Sequence, residues 1–272
     1  MKPPRHYARV LTIAGSDSGG GAGIQADLKT FAALGCYGAS VITALTAQNT
    51  LGVTAIHPVP VDFVTSQIDA VLSDIGADAV KIGMLFSPEL IRAVARGLQR
   101  HHVRQVVLDP VMVAQSGDKL LQDEAIDALK TELLPLATLI TPNLPEASVL
   151  LGHTIDSPDA ARQAAQSLAS LGCPNVLVKG GHLESGPSDD CLFLGRDKRL
   201  LVLSGRRVET RNNHGTGCTL SSAIAAGLAR GLDLETAVQQ AKEYIEGAIE
   251  AGRDYVLGQG CGPVHHFYRF FP

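Results

Sequence analysis

No run of basic residues occurs in the 272-residue chain, and 23 Lys plus Arg against 27 Asp plus Glu leave a formal net charge of −4. Nothing electrostatic therefore points to nucleic acid or to an anionic membrane surface. No C-x-x-C pair occurs either: Cys36, Cys173, Cys191, Cys218 and Cys261 are widely spaced and odd in number. They read as thiols of a reducing compartment, not as a disulfide framework or a zinc site. G-x-x-x-x-G-K-[ST] is missing, which excludes a Walker-type phosphate loop. From Thr30 to Val61 there is no Asp, Glu, Lys or Arg. Gly35, Gly38, Gln48, Asn49, Gly52, Pro58 and Pro60 interrupt that stretch, so it predicts a buried strand with a long loop instead of a bilayer helix. The first apolar run breaks at Gly15-Ser16-Asp17, too soon for a signal peptide. With no internal repeat and no linker-like shift in composition, the chain reads as one cytoplasmic soluble domain over residues 1–272.

What is present is an alternation of strands and helices. Arg9 to Ala14 is β-rich and ends at Gly15; the glycine loop Ser16 to Gly23 follows, then a helical pattern from Ile24 to Leu34. A second strand, Ala39 to Thr46, runs into the uncharged polar cluster Ala47-Gln48-Asn49-Thr50. Gln48 can read a heteroaromatic ring, because an amide offers both donor and acceptor; the alternative is a loop amide facing water. Asp62 is placed to cap a helix from Asp62 to Leu72. A strand from Ala79 ends at Gly83-Met84, and Ser87, Pro88 and Glu89 open a helix running to about Arg100.

Val106 to Met112 is a continuous apolar run apart from Asp109 and Pro110, as expected for a parallel strand covered on both faces. A carboxylate at such a strand end lies where open α/β sheets bind ligands, although Asp109 could also cap a turn before Pro110. The segment Ala114 to Asp118 is a candidate lid. Leu139 to Thr141 is another strand, and Asn143 with Glu146 can face one side beyond it. Oxygen ligands of that kind suit hydrated Mg²⁺ held by few protein groups plus phosphates. Lys179 ends the strand from Asn175, beside two glycines, and can meet phosphate or simply face solvent. Cys191 to Leu194 and Leu200 to Val202 read as antiparallel edge strands.

The chain is organised around Asn212 to Ser222, a glycine-rich turn that runs into the small apolar segment Ala223 to Leu228. The first N–H groups of a helix have no partner within it and carry partial positive charge, so anions bind there. Gly215 and Gly217 allow close backbone approach, and Thr216 and Thr219 can add hydroxyl donors. Cys218, the last loop position, carries a thiol whose thiolate that field favours, so it can serve as a base or as a donor toward an anion. Such a turn can also be only a turn, and a lone cysteine only a core residue.

These segments together resemble the hydroxymethylpyrimidine/phosphomethylpyrimidine kinases of the ribokinase superfamily over nearly the whole chain. The carriers are Thr12 to Asp17 with Gly20 to Phe31; Val41 to Ala44 with Ala47 to Thr50; Lys81 to Met84; Thr141 to Ala147; Lys179 to His182; His214 to Leu220; and Gly262 to Phe267. The resemblance implies an α/β, ribokinase-like fold: a doubly wound, mostly parallel central sheet with helices on both faces and a small antiparallel edge. It implies ATP, Mg²⁺ and two successive transfers in thiamine biosynthesis, first to the hydroxymethyl group of 4-amino-5-hydroxymethyl-2-methylpyrimidine and then to the monophosphate. By residue, it places Gly15, Ala22, Gln48, Met84 and Val111 around the pyrimidine. It places Asn143 and Glu146 at Mg²⁺ and phosphate, Asp109 and Lys179 on the phosphate side, and Gly215, Thr216, Gly217 and Cys218 in the anion hole. Glu146 and Asp109 are the implied Mg²⁺ ligands, partly through water. A homodimer is also implied. Asn213 stands where Thr is usual, and Ser18-Gly19 varies a loop that is often Pro-Ser or Ser-Ser.

Three other readings compete. The first is pyridoxal or pyridoxine as substrate, since that ring also bears a hydroxymethyl group beside a heteroaromatic nitrogen. The second is a thiol hydrolase using Cys218 and His214, for which no third orienting residue is evident. The third is a non-catalytic pyrimidine sensor. The pairs His101-His102 and His265-His266 lack metal-ligand spacing and read as surface or packing residues.

Overall fold

The computed structural model describes residues 5–112, 123–181 and 188–271. The candidate lid at 114–118 and His182 lie outside them. One nine-stranded sheet organises the chain. Its strands are β1 (Arg9–Asp17), β2 (Tyr37–Asn49), β3 (Gly52–Pro58), β4 (Ala79–Ile82), β5 (Val106–Leu108), β6 (Leu139–Ile140), β7 (Asn175–Val178), β8 (Asp190–Leu194) and β9 (Arg199–Leu203). Their spatial order is β3-β2-β1-β4-β5-β6-β7-β8-β9. From β2 through β7 every pair is parallel. The antiparallel part is larger than expected: β2–β3 closes one edge and β7–β8–β9 the other.

The connectivity runs outward in opposite directions from β1, so the β1–β4 junction is a switch point with a crevice beyond the carboxyl ends of both strands. Short apolar strands such as β5 and β6 are buried on both faces, which explains their unbroken Val, Leu and Ile runs. Helices α1 (Gly23–Ala33), α7 (Thr216–Ala229) and α8 (Leu234–Gly252) pack together over one face. Phe31, Ile224 and Tyr244 are fully or almost fully buried among them. The other face is covered by α2 (Val61–Asp74), α3 (Pro88–Arg100), α4 (Asp123–Ala128), α5 (Leu144–Leu151) and α6 (Pro158–Ala169), with Ile68, Leu90 and Leu108 in that core.

Local chemistry sets the helix starts. Ser87 accepts the Leu90 N–H with Pro88 in the first turn, as read from the sequence. Asn143 and Glu146 form a capping box on α5: Asn143 Oδ1 accepts the Glu146 N–H and Glu146 Oε2 accepts the Asn143 N–H, both at 2.8 Å. Asp62 is not a cap. Pro60 occupies that position and Asp62 lies in the first turn of α2.

The long uncharged stretch is a hairpin. β2 continues through Gln48 to Asn49 and β3 pairs back on it, so the expected loop is a projecting ribbon instead. β1 likewise runs past Gly15 to Asp17, with a register shift between Ala14 and Ser16 that accommodates the irregular pairing there. Among the described residues no helix is long and apolar enough to cross a membrane.

Candidate functional site

A cleft of about 750 Å³ opens beyond the carboxyl ends of β1, β4 and β5, at the switch point. All thirteen residues singled out by the sequence line it: Gly15, Ala22, Gln48, Met84, Asp109, Val111, Asn143, Glu146, Lys179, Gly215, Thr216, Gly217 and Cys218.

Gly15 and Met84 stand together on one wall. Gly15 leaves room for Met84, whose Cε would lie 2.6 Å from a Cβ at that position. Gln48 reaches in from the β2–β3 ribbon, and Ala22 from the glycine loop. That loop folds around Asp17: Oδ1 accepts the Gly19 N–H at 2.8 Å, and Oδ2 accepts those of Gly21 and Ala22 at 3.0 and 2.8 Å. His214 Nε2 lies 2.9 Å from the same Oδ2. Asp17 and His214 thus tie the two glycine-rich loops together. From the sequence Asp17 has no role of its own, and His214 none beyond that of a hydrolase partner. Asp17 gives His214 an orienting carboxylate, but the hydrolase reading lacks an activated thiol, because burial pushes Cys218 up to about 11.

Lys179 Nζ contacts Asp109 Oδ1 at 2.8 Å in the middle of the cleft. Thr141 donates to Asp109 Oδ1 at 3.1 Å and Ser221 to Oδ2 at 3.3 Å. Burial pushes the Asp109 carboxyl up, but Lys179 and Lys81 outweigh it and hold the pKa below the usual carboxylate range. Burial disfavours the Lys179 ammonium, yet Asp109 and Glu146 keep it raised and charged. Glu146 has less compensation. Burial first, with Asp109 adding, pushes it up to about 7 despite Lys179 and the backbone N–H groups of Asn143 and Met112. The Asn143 side chain is engaged in the capping box, which fixes where Glu146 points. Among the described residues no three His, Cys, Asp or Glu side chains cluster closely enough to enclose a metal ion.

The N-terminus of α7 points between these two regions. Gly215 caps it with φ +80°, and a Cβ there would sit 1.9 Å from the Gly21 carbonyl oxygen. A side chain at Gly217 would come within 3.2 Å of Lys179 Nζ and 3.6 Å of Asp109 Oδ2, so its absence lets backbone and charges meet around a ligand.

Two expectations fail here. The Thr216 hydroxyl donates to the Asn213 carbonyl at 2.7 Å and the Thr219 hydroxyl lies 3.0 Å from His266 Nε2, so protein groups already occupy both. Cys218 stands in the first helical turn instead of at the loop's end, and its thiol is not depressed. Burial pushes it up to about 11; Lys81 opposes this, Asp27 and Asp109 reinforce it, and the Gly23 N–H opposes it weakly. Loss of hydration outweighs the helix field, so the resting group is a thiol.

Beneath Cys218 is an ion pair the sequence reading missed. Lys81 Nζ lies 2.9 Å from both oxygens of Asp27, and neither side chain is exposed. The available signal was Lys81 itself, a cation inside the fully buried strand β4.

The chain matches the phosphomethylpyrimidine kinase family over residues 17–265. It is 57% identical to the hydroxymethylpyrimidine/phosphomethylpyrimidine kinase of Rhizobium meliloti, covering 97% of this chain and 98% of that one. It is 55% identical to the thiamine biosynthesis bifunctional protein ThiED of Geobacter sulfurreducens, across 97% of this chain and 53% of the longer relative. A Bacillus subtilis pyridoxal kinase solved as an ADP complex superposes with a TM-score of 0.89 at 38% identity, covering 98% of this chain and 100% of the other. The fold is therefore ribokinase-like. With match, full-length identity and cleft architecture in agreement, the chain belongs to the phosphomethylpyrimidine kinase family.

Proposed function

We propose that the chain, acting as one kinase domain over residues 1–272, phosphorylates 4-amino-5-hydroxymethyl-2-methylpyrimidine and then the resulting monophosphate, supplying the diphosphate used in thiamine biosynthesis. The observation that carries this reading is the placement of the α7 N-terminus in the cleft, with Gly215 against the Gly21 loop and Gly217 against Lys179 and Asp109. Gly15, Ala22, Gln48, Met84 and Val111 surround the ring, while Asp109, Lys179, Asn143 and Glu146 lie on the phosphate side.

Phosphoryl transfer needs positioning and charge stabilisation more than covalent chemistry. The Gly217 and Cys218 N–H groups sit at the second and third positions of α7, where a helix leaves such groups without an internal partner. They form the floor of an anion hole for the moving phosphoryl group, and Lys179 adds a cation beside it. Gly215 gives the turn its left-handed start, and Thr216 stiffens it through Asn213. Cys218 rests as a thiol within reach of the same space. It acts first as a donor toward developing negative charge and serves as a base only once its proton has left, which Lys81 favours.

ATP is the phosphoryl donor, and Mg²⁺ when bound neutralises phosphate charge. Asp109 and Glu146 suit a Mg²⁺ that keeps most of its water and phosphate ligands and needs only one or two carboxylates. We place the enzyme in the cytoplasm, as a homodimer. A second reading, pyridoxal as an additional substrate, is favoured by the superposition on a pyridoxal kinase.

The test is ADP formation by purified protein with Mg-ATP, offering hydroxymethylpyrimidine, its monophosphate and pyridoxal separately, with Cys218→Ala alongside. Turnover of both pyrimidines is expected, reduced at least about a hundredfold in the variant. Turnover of pyridoxal alone would sink the substrate assignment.

A further inference from the structure

Asp17, His214 and Gln48 form a hydrogen-bond chain whose polarity can be worked out atom by atom. The Asp17 side chain is 3% exposed. Burial pushes its pKa up, but His214 and the Ala22 and Gly19 N–H groups hold it below the usual carboxylate range. An ionised carboxylate carries no proton, so the proton between Oδ2 and Nε2 belongs to the imidazole. Gly21 lets the ring lie against this loop, since a Cβ there would sit 2.3 Å from His214 Cδ2.

The same Nε2 is 3.3 Å from the terminal amide of Gln48. A nitrogen whose one proton goes to Asp17 cannot accept, so an amide nitrogen there would face it donor to donor; the amide oxygen is the end that fits, as the weaker acceptor of a three-centre contact. The other end of the amide agrees. Thr46 Oγ1 donates its single proton to the Ser16 carbonyl at 2.8 Å, so toward Gln48, 3.1 Å away, it can only accept. Placed the other way round, the amide would face donor to donor at His214 and acceptor to acceptor at Thr46. The two ends of a glutamine amide are alike in shape, and only its neighbours distinguish them.

We infer that Asp17 and His214 are positioning residues which fix the Gln48 amide in one orientation, so that the cleft presents an ordered donor–acceptor pair to the ring. An aminopyrimidine answers both halves, with a ring nitrogen accepting and the adjacent exocyclic amine donating. A pyridine nitrogen flanked by carbon answers only one. The Asp17–His214 pair therefore sets the preference for aminopyrimidine over pyridoxal through the Gln48 amide. This rests on the proposal that Gln48 reads the ring.

The experiment is a double-mutant cycle read on KM and kcat for hydroxymethylpyrimidine and for pyridoxal, together with the imidazole tautomer of His214 by ¹⁵N NMR. His214→Leu is expected to raise the pyrimidine KM about tenfold, mostly in KM and much less for pyridoxal, and to add almost nothing on a Gln48→Ala background. His214→Gln, whose amide N–H reaches the Nε2 position, is expected to restore most of the loss, which a merely misfolded loop would not allow. Equal losses with both rings, effects that multiply with Gln48→Ala, or an Nδ1–H tautomer would each overturn the inference. If Gln48→Ala leaves the pyrimidine KM unmoved while the tautomer is Nε2–H, ring reading by Gln48 fails, and the claimed effect on preference fails with it.

Discussion

Asp27 and Lys81 face each other inside the protein, with both carboxylate oxygens 2.9 Å from Nζ and hydroxyl donors from Thr12 and Ser222 at 2.6 Å completing the carboxylate's shell. Ser222 is one helical turn after Cys218 on α7, so the pair joins β1, α1, β4 and α7 directly under the thiol. Burial disfavours the ammonium, but Asp27 first and Cys218 and Asp109 next keep its pKa raised. Lys81→Met, which strands a buried carboxylate, is expected to cost roughly 3–5 kcal/mol and lower Tm by about 10 °C. Asp27→Leu added to it should recover part of that loss. Thermal unfolding of the three proteins checks this, and an unchanged Tm in the single variant would remove the pair from the fold's supports.

The Asp109–Lys179 contact predicts a catalytic defect larger than a structural one. Asp109→Asn should lower kcat by about 10²–10³, with Lys179→Ala in the same range. A loss below about tenfold in a variant that still melts cooperatively would contradict the assignment of this pair to the phosphate side.

Cys218 is predicted to be slow toward alkylating agents. With its pKa near 11, its thiolate fraction at pH 7.5 is about 300-fold below that of an ordinary cysteine. The folded state holds this proton more tightly than the unfolded one. Its contribution to stability is therefore complete below the unfolded-state pKa and is lost as pH climbs toward 11. Iodoacetamide labelling read by mass spectrometry, with exposed Cys261 as the internal reference, measures the midpoint. A value near 7 would restore the thiolate.

His266 predicts acid sensitivity. Burial, with Lys29 and His265 adding, lowers its pKa to about 4, and its Nε2 lies 3.0 Å from the Thr219 hydroxyl. A depressed base contributes stability above its unfolded pKa of about 6.5 that is lost as pH falls through 4, amounting to roughly 2–3 kcal/mol. Urea unfolding at pH 7 and pH 4.5 should show that loss, and His266→Leu should show a smaller one. Equal slopes in the two proteins would refute it.

Gly215→Ala is expected to be the most damaging single-methyl change in the cleft. It combines a φ of +80° with a Cβ 1.9 Å from the Gly21 oxygen. Strain and displacement together should cost a few kcal/mol and lower kcat at least tenfold. Normal kinetics in this variant would show that the turn tolerates a shift.

The parallel core was legible because hydrophobic runs and caps are local properties: the Ser87 start of α3 falls where composition places it, and β5 starts at Val106 as expected but ends at Leu108, short of Met112, while α7 begins inside the glycine turn at Thr216. The β3 ribbon was not, since Val53 to His57 is largely exposed and its pairing with β2 depends on a partner the pattern does not advertise. Site residues at strand ends, such as Asp109 and Lys179, could be picked out one by one. What could not be read is who pairs with whom. Asp27 finds Lys81 across 54 positions and Asp17 finds His214 across 197, and the raised Cys218 pKa follows from burial that only the assembled fold creates.

The walls of the cleft are tied together from the far end of the chain. Gln48 sits at the base of a ribbon tip whose Thr50 carbonyl accepts the Cys261 N–H at 2.8 Å, and the His214 N–H is held by the Gly262 carbonyl at 3.0 Å. The sheet through β7 can be synthesised and begin to pack long before these partners exist. The ribbon that carries Gln48 and the turn that carries His214 are thus both held from residues 261–262, and these walls of the cleft are joined only when the last part of the chain is in place.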